Sequence, residues 1–232
     1  MKVRLLRHTS DAELLCGTAA LTSTKSGSPS DILEKMDLEK AKRIIKRVTG
    51  YGHASVIEHA SFTFSIEGVS RAMTHQLVRH RIASYTQQSQ RYVTYDSLKK
   101  YVTPPSIMDN TEAKRIFDEA LAKISETYKK LLNLKIPKED SRFILPNAAK
   151  TNIIVTMNTR ELQHFFNLRC CARAQWEIRE TATEMLRQAK KIAPILFEKA
   201  GPSCVKLGFC PEGKMKPPEC NVEDIKKRFK AL

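Results

Sequence analysis

Hydrophobic and polar positions alternate in one part of the chain. Phe62, Phe64 and Ile66 are separated by Thr63 and Ser65, and this period of two is typical of a strand with one buried face. A second segment, residues 152–157 with the sequence NIIVTM, is apolar and rich in β-branched residues. These two segments are the predicted strands.

Elsewhere the apolar residues recur at spacings of three and four, which is typical of amphipathic helices. Ser10 and Asp11 offer an N-cap to a short helix that carries Leu14 and Leu15. Other predicted helices cover residues 37–48, 69–80, 158–167, 175–199 (bent or ended near Pro194) and 222–229. The longest predicted helix, residues 111–134, should pack on the core or on another subunit through Phe117, Leu121, Ile124, Tyr128 and Leu131.

Strands and helices mix without a repeated βαβ order, which predicts the α+β class. Loops are predicted over residues 23–30 and around Pro104 and Pro105. At 232 residues the chain is read as one domain over 1–232. Its tail should be irregular from about residue 201, because that stretch holds three of eight glycines and four of ten prolines.

Composition favours a soluble globular protein, since 41% of the residues are hydrophobic and 28% are charged. No run of 18 apolar residues occurs, so neither a membrane span nor a secretory signal is expected. The cysteines are expected to be free thiols in the cytoplasm. Cys204, Cys210 and Cys220 lack a CxxC pair, and no metal site is predicted.

The charge balance points to an anionic partner, because 40 Lys and Arg face 25 Asp and Glu for a net charge of +15. No acidic residue lies between Glu67 and Asp96, nor between Ser141 and Arg160. A solvated basic face would explain such gaps. However, the acid-free segments are rich in arginine, which binds phosphate and imide groups in bidentate fashion, and this favours a bound anion. Neither GxGxxG nor GxxxxGK[ST] occurs, so side chains would have to hold a dinucleotide.

The central segment, residues 79–91, reads RHRIASYTQQSQR. It fits the pattern RHRxxSxxxxSxR at all six specified positions and therefore resembles the signature of the flavin-dependent thymidylate synthases, the ThyX family. Further similarity covers most of residues 50–180. It includes Gly52-His53, Glu58-His59, Arg142 before Leu145-Pro146, Asn158-Thr159-Arg160, Phe166-Asn167-Leu168-Arg169 and Ala174-Gln175-Trp176-Glu177.

The resemblance implies a ThyX-like fold with a mixed or antiparallel sheet flanked by long helices. It also implies an enzyme that converts dUMP to dTMP, taking a methylene group from 5,10-methylenetetrahydrofolate and electrons from NADPH through FAD, and releasing tetrahydrofolate. Members are homotetramers whose active sites are built from several subunits. No nucleic acid and no membrane would then be a partner.

The resemblance also carries over individual site residues. The implied dUMP contacts are Gln76, Leu77, Val78, Arg79, Gln87, Gln88, Ser89, Gln90, Arg91, Arg142 and Arg169. The implied FAD contacts are His53, Ser55, Arg79, His80, Arg81, Gln87, Asn158, Thr159, Arg160 and His164. The chain departs from some members at Gln87 and at His164, which replaces an amide found in some relatives.

Arg169 is the implied catalytic residue. A guanidinium against N3 and O2 of uracil would stabilise the negative charge that develops there during the reaction. Reduced flavin can then deliver hydride to C6 without an enzyme nucleophile, so Cys170 and Cys171 are read as structural. Ser89 has no activating base beside it in sequence and is read as a positioning group.

Two alternatives remain open at the level of the sequence. A basic module for RNA or single-stranded nucleic acid could use the arginines together with Tyr85, Tyr92, Tyr95 and Tyr101 as stacking platforms. A homologue that keeps flavin but uses another acceptor is the third possibility.

Overall fold

The computed structural model describes residues 1–95, 97 and 100–232 of the chain. Four strands form one sheet in the order β1-β2-β4-β3, and every neighbouring pair is antiparallel. The strands are β1 (Lys2–His8), β2 (Ser61–Ser70), β3 (Ala83–Gln87) and β4 (Lys150–Asn158). This sheet and its helices confirm the predicted α+β class.

Helices make up most of the remaining described structure. They are α1 (Ala12–Thr22), α2 (Pro29–Glu34), α3 (Leu38–Gly50), α4 (Arg71–Leu77), α5 (Pro105–Met108), α6 (Thr111–Asn133), α7 (Lys138–Ser141), α8 (Thr159–Arg169), α9 (Trp176–Ile192), α10 (Ser203–Leu207) and α11 (Val222–Lys230). In the part of the chain that is described, no helix is both long and apolar enough to cross a bilayer.

The core lies on one face of the two central strands. Phe62, Phe64 and Ile66 of β2 are fully buried, and each stands opposite a buried apolar residue of β4, which confirms both predicted strands. Helices α8 and α9 cover this face with their apolar sides. Phe165 and Phe166 of α8 belong to that packing, so the core fixes the helix that carries the candidate site.

A smaller second cluster lies under the long helix α6. Leu121 and Tyr128 are buried there against Tyr95, Tyr101 and Ala149, which confirms the predicted inward face of the helix. The opposite side is open, and the side chain of Ile116 is 55% exposed.

Several predicted boundaries are wrong. Val69 and Ser70 belong to β2 rather than to the helix predicted over 69–80, because Gly68 with φ 69° allows the strand to shift register and continue. The helix predicted over 175–199 was expected to bend or end near Pro194, and its end at Ile192 confirms that expectation. Short helices occupy parts of three predicted loops, namely α2, α5 and α10.

Candidate active site

The two acid-free windows of the sequence lie side by side in the fold. Strand β3 belongs to the first window and β4 to the second, and they pair from Ala83↔Met157 to Gln87↔Ile153. The chain therefore concentrates arginine and histidine, without neighbouring carboxylates in sequence, around the two ends of one strand pair.

The buried centre of the site joins two segments that are far apart in sequence. The Nε of Arg169 donates a hydrogen bond to Nε2 of His80 at 3.0 Å. On the other side of the ring, Nδ1 of His80 lies 3.3 Å from Oε1 of Glu161. The side chains of His80 and Glu161 are only 3% and 7% exposed. Glu161, His80 and Arg169 thus form one continuous line of polar groups.

This geometry fixes the proton of His80. Because Nε2 accepts from Arg169, the ring proton must be on Nδ1, where it donates to the Glu161 carboxylate. Burial, with the nearby charges of Arg169 and His164, lowers the pKa of His80 to about 4. His80 is therefore neutral at pH 7, and its contact with Glu161 is a hydrogen bond rather than an ion pair.

Burial also shifts the pKa values of Glu161 and Arg169, the two outer groups of this line. It raises the pKa of Glu161 and lowers that of Arg169. A guanidinium remains charged under such conditions. Among the residues that the structure describes, the hydrogen bond to His80 is the only one found for this guanidinium, so its Nη groups can face a ligand.

His80, Glu161 and His164 also have the spacing of a metal site. Their ligating atoms all lie within 4.8 Å of one another. However, the charged Arg169 guanidinium already occupies the Nε2 lone pair of His80, and Nδ1 carries the proton that Glu161 accepts. Both ring nitrogens are engaged, so this group is suited to orienting Arg169 rather than to ligating a cation.

Helix α8 presents three of the predicted FAD contacts at its first turn. Asn158 is the N-cap, and its Oδ1 accepts from the backbone N–H of Glu161 at 2.9 Å. Thr159 is buried and donates to the carbonyl of Ala60. Arg160 is exposed and paired with Glu58 at 2.5 Å. Only Arg160 directs its side chain fully outward.

The end of α4 and the residues after it form an open basic basin. His75, Val78, Arg79 and Arg81 line about 570 Å³, and none of the described lining residues is a carboxylate. Gln76 is half-buried, and its Nε2 donates to the carbonyl of Ala72. The side chain of Leu77 is fully buried in the core, so Leu77 can offer a ligand only its backbone.

Further predicted dUMP contacts lie at the other end of β3 and beyond it. The side-chain amide of Gln87 donates to Thr74 Oγ1 at 2.9 Å and is turned into the protein. Gln88 and Gln90 are half-buried. The Ser89 Oγ accepts from the backbone N–H of Arg91 in a turn. Glu139 of α7 contacts both Arg91 and Arg142. Its carboxylate forms an ion pair with Arg91 at 2.7 Å, and its backbone carbonyl accepts a hydrogen bond from Nε of Arg142.

His53 and Ser55 lie in a separate cleft. They line about 480 Å³ together with Tyr51, Val56 and His59, against helices α1 and α3. Both His53 and Ser55 are exposed.

The predicted site residues therefore form groups that do not all converge. His80, Arg81 and Asn158 are near one end of the β3–β4 pair, and Ser89, Arg91 and Arg142 follow the other end. Four strand steps separate Ala83 from Gln87, or roughly 13 Å.

Sequence reasoning missed two acidic residues of the site, Glu161 and Glu139. Glu161 shares a helix face with the buried Phe165 one turn later. A carboxylate on the apolar face of a helix is unusual and could have been noticed. Glu139 gave no comparable signal, because its position between Arg91 and Arg142 depends on the fold.

Comparison with known proteins identifies the family of the chain. Residues 4–195 match the family model described as "Thymidylate synthase complementing protein". The chain is 51% identical to a flavin-dependent thymidylate synthase of Geobacter sulfurreducens, with 100% of this chain and 99% of the relative covered. It is 46% identical to the enzyme of the same name from Pyrococcus furiosus, with 98% of this chain and 96% of that relative covered.

Solved structures show the same fold. ThyX from Helicobacter pylori, complexed with FAD and dUMP, is similar with a TM-score of 0.69 and 25% identity, covering 87% of this chain and all of that one. The UMP/dUMP methylase PolB from Streptomyces cacaoi has a TM-score of 0.71 at 24% identity, covering 93% and 97%, and supports the fold alone. The alternative of a nucleic-acid-binding module finds no support in these comparisons.

Proposed function

The chain belongs to the flavin-dependent thymidylate synthase family, and from that premise we propose that it forms dTMP from dUMP with FAD, methylenetetrahydrofolate and NADPH, using Arg169 as the activating residue. The observation that carries the assignment of Arg169 is its fixed guanidinium, hydrogen-bonded through Nε to the buried His80. When bound, FAD supplies the hydride chemistry that no side chain can provide.

Arg169 acts by stabilising charge. A guanidinium only donates, so its two Nη groups match the N3 and O2 edge of uracil once N3 has lost its proton to solvent, and they then stabilise the negative charge on that edge. Because His80 already holds Nε, the donors are oriented before the substrate binds and need little reorganisation during the reaction. Partial burial of Arg169 strengthens this interaction by lowering the local dielectric.

His80 and Glu161 hold Arg169 in place. A neutral His80 with its proton on Nδ1 accepts from Arg169, whereas a protonated ring would repel it. The Glu161 carboxylate favours that tautomer. The contact of His80 with FAD that the resemblance implies would have to be made from the remaining ring edge or backbone.

The basic basin fits the diphosphate of FAD. Arg79 and Arg81 are exposed there and offer two guanidinium groups, with no competing carboxylate among the lining residues that the structure describes. Arg160 would add a third cation if the ligand displaced its exposed partner Glu58. His53 and Ser55 would contact the flavin from their own cleft.

The separation of the groups supports a site shared between subunits. Arg91 and Arg142 are the proposed dUMP phosphate contacts, yet β3 separates their end from the His80 and Arg169 end by roughly 13 Å. We infer that Arg91 and Arg142 of one chain complete the site of another in a homotetramer. Glu139, which pairs with Arg91, would exchange that partner for phosphate.

Anaerobic turnover of the FAD-loaded protein with NADPH, methylenetetrahydrofolate and dUMP tests the proposal. Formation of dTMP and tetrahydrofolate that depends on added FAD is the expected result. Flavin binding without dTMP would overturn the proposed acceptor, and co-purified nucleic acid with no flavin binding would overturn the function altogether.

A further inference from the structure

The turn that carries Ser89 and Arg91 is held by an arginine that is not among the predicted ligand contacts. Arg71 is the first residue of α4, and its Nη2 donates a hydrogen bond to the carbonyl of Gln88 at 2.6 Å. The hydroxyl of Thr151 is the other donor that the described residues place near this carbonyl, at 3.5 Å. Arg71 makes the shorter contact and, because it is charged, the stronger one.

The charge of Arg71 has no carboxylate partner. Its side chain is half-buried, and its buried Nε has no hydrogen-bond partner among the described residues. No described Asp or Glu pairs with this guanidinium, whereas Arg91 is paired with Glu139. A partly buried cation that is not neutralised costs free energy, and it favours an anion close to it.

One peptide unit links Arg71 to Ser89. The carbonyl of Gln88 and the N–H of Ser89 belong to the same trans peptide, and in a trans peptide these two groups point in opposite directions. Because Arg71 binds the carbonyl, the Ser89 N–H must point away from Arg71. The preceding peptide is fixed as well, since the Gln88 N–H donates to the carbonyl of Asn152 at 2.9 Å.

The donors of this turn are open to a ligand. Among the residues that the structure describes, no acceptor is found for the backbone N–H of Ser89 or for that of Gln90. The Ser89 Oγ accepts from the N–H of Arg91 at 3.2 Å, which leaves the hydroxyl proton of Ser89 for a ligand. Neighbouring donors without an acceptor match the several oxygens of a phosphate group.

We propose that Arg71 is a positioning residue of the nucleotide site, which orients and polarises the Gln88–Ser89 peptide so that the Ser89 N–H donates to the phosphate of dUMP. This role rests on the proposed function, which supplies dUMP as the ligand of the turn. A charged donor on the carbonyl draws electron density from the peptide and thereby strengthens its N–H as a donor. Arg71 thus acts through the peptide and need not touch the phosphate itself.

Binding of dUMP and of deoxyuridine to the full-length, FAD-loaded protein tests this role, because only dUMP carries the phosphate. Arg71→Met keeps an unbranched side chain but removes the donor. We expect its Kd for dUMP to rise about tenfold, as for loss of a hydrogen bond to a charged group, while its Kd for deoxyuridine and its kcat at saturating dUMP stay within about twofold. Arg71→Lys keeps a charged donor and should recover most of the lost affinity.

Arg179→Met is the matched control, because Arg179 of α9 also donates from its guanidinium to a backbone carbonyl, that of Ala172 at 2.8 Å, outside the proposed site. It should bind both ligands as the wild type does. Wild-type affinity of Arg71→Met for dUMP, or equal losses for dUMP and deoxyuridine, would overturn the role of Arg71. A wild type that binds no dUMP would overturn the proposed function itself, and this role with it.

If Arg71→Met fails to fold, nuclear magnetic resonance of the wild type decides. The protein is labelled with nitrogen isotope at serine, and the amide signal of Ser89 is identified by its loss in Ser89→Ala. This signal should shift when dUMP is added and should stay in place when deoxyuridine is added. A signal that does not respond to dUMP would overturn the proposal.

Discussion

At the scale of single residues, the site depends on where one proton lies. His80 receives a hydrogen bond from Arg169 and gives one to Glu161, and only the neutral Nδ1–H tautomer can do both. The chemistry of Arg169 is thus coupled to a carboxylate that has no direct contact with the proposed uracil position. Two expected outcomes follow from this arrangement.

Replacing Glu161 should weaken catalysis more than binding. Glu161→Ala removes the acceptor of the Nδ1 proton, so His80 can change tautomer and release Arg169. We expect kcat to fall by roughly tenfold to a hundredfold, as for loss of a buried hydrogen bond to a charged group. Glu161→Gln keeps an acceptor oxygen and should lose less than about tenfold.

Flavin occupancy and the KM for dUMP should change little in both Glu161 variants, and Glu223→Ala on the exposed face of α11 serves as the control. Equal losses in the Ala and Gln variants, or loss of flavin in both, would show that Glu161 only supports the fold.

The lowered pKa of His80 predicts a specific loss of stability in acid. The unfolded chain takes up a proton at His80 near pH 6.5, but the folded protein does so only near pH 4. The contribution of neutral His80 is therefore complete above pH 6.5 and is lost as the pH falls toward 4. By pH 5 the resulting loss in the free energy of unfolding should reach roughly 2 kcal/mol.

The comparison is urea unfolding of the wild type and His80→Asn at pH 7 and pH 5. The wild type should lose more free energy of unfolding than the variant does. Parallel losses in the two proteins would contradict the assigned pKa.

The sequence predicted the identity of the site residues better than the contacts between them. The signature and the second block named His80 and Arg169 individually, because their side-chain types carry the resemblance. Their hydrogen bond joins residues 89 positions apart, which only packing of β3 and α8 against the same core can produce. Glu161 was missed although its place on the apolar face of a helix, one turn before Phe165, was visible in the sequence.

At the scale of elements, predictions succeeded where the hydrophobic period was strong. Strand β2 and helix α6 each have a clear apolar face, and both were predicted. Strand β3 has the sequence ASYTQ with only Ala83 and Tyr85 apolar, so its extended form depends on pairing with β4. A strand that is specified by its neighbour leaves little signal in its own residues.

The N-cap of α8 should contribute both stability and flavin binding. Asn158→Ala removes the side-chain acceptor for the Glu161 N–H and should cost about 1 kcal/mol, whereas Asn158→Asp should retain that stability. Urea unfolding and flavin titration measure the two effects.

Asn110→Ala is the matched control, because Asn110 caps α6 in the same way but lies outside the proposed site. It should cost a similar free energy and leave flavin affinity unchanged. If Asn158→Ala also left flavin affinity unchanged, the FAD contact assigned to Asn158 would be wrong.

At the scale of the whole molecule, the strand pair separates the two halves of the proposed substrate site. Arg169 contacts His80, which precedes β3, whereas Arg142 shares Glu139 with Arg91, which follows β3, and we infer that neighbouring subunits bring the two arginines together. Such a shared site has a consequence that a site within one chain would not have.

Mixing two inactive variants should restore activity. Arg169→Ala and Arg142→Ala chains, unfolded and refolded together, would place both native arginines in about a quarter of the sites. Assays of dTMP formation on the mixture and on each variant refolded alone give the comparison. A mixture no more active than its components would mean that both arginines act within one chain.

The most direct test of the account is dTMP formation by Arg169→Ala compared with the wild type at equal flavin occupancy. We predict a loss of at least about a hundredfold, the usual effect of removing a preorganised donor from developing charge, while the flavin absorption of the protein is unchanged. Activity within a few fold of the wild type would contradict the role of Arg169, and loss of flavin would mean that this guanidinium belongs to the cofactor site instead.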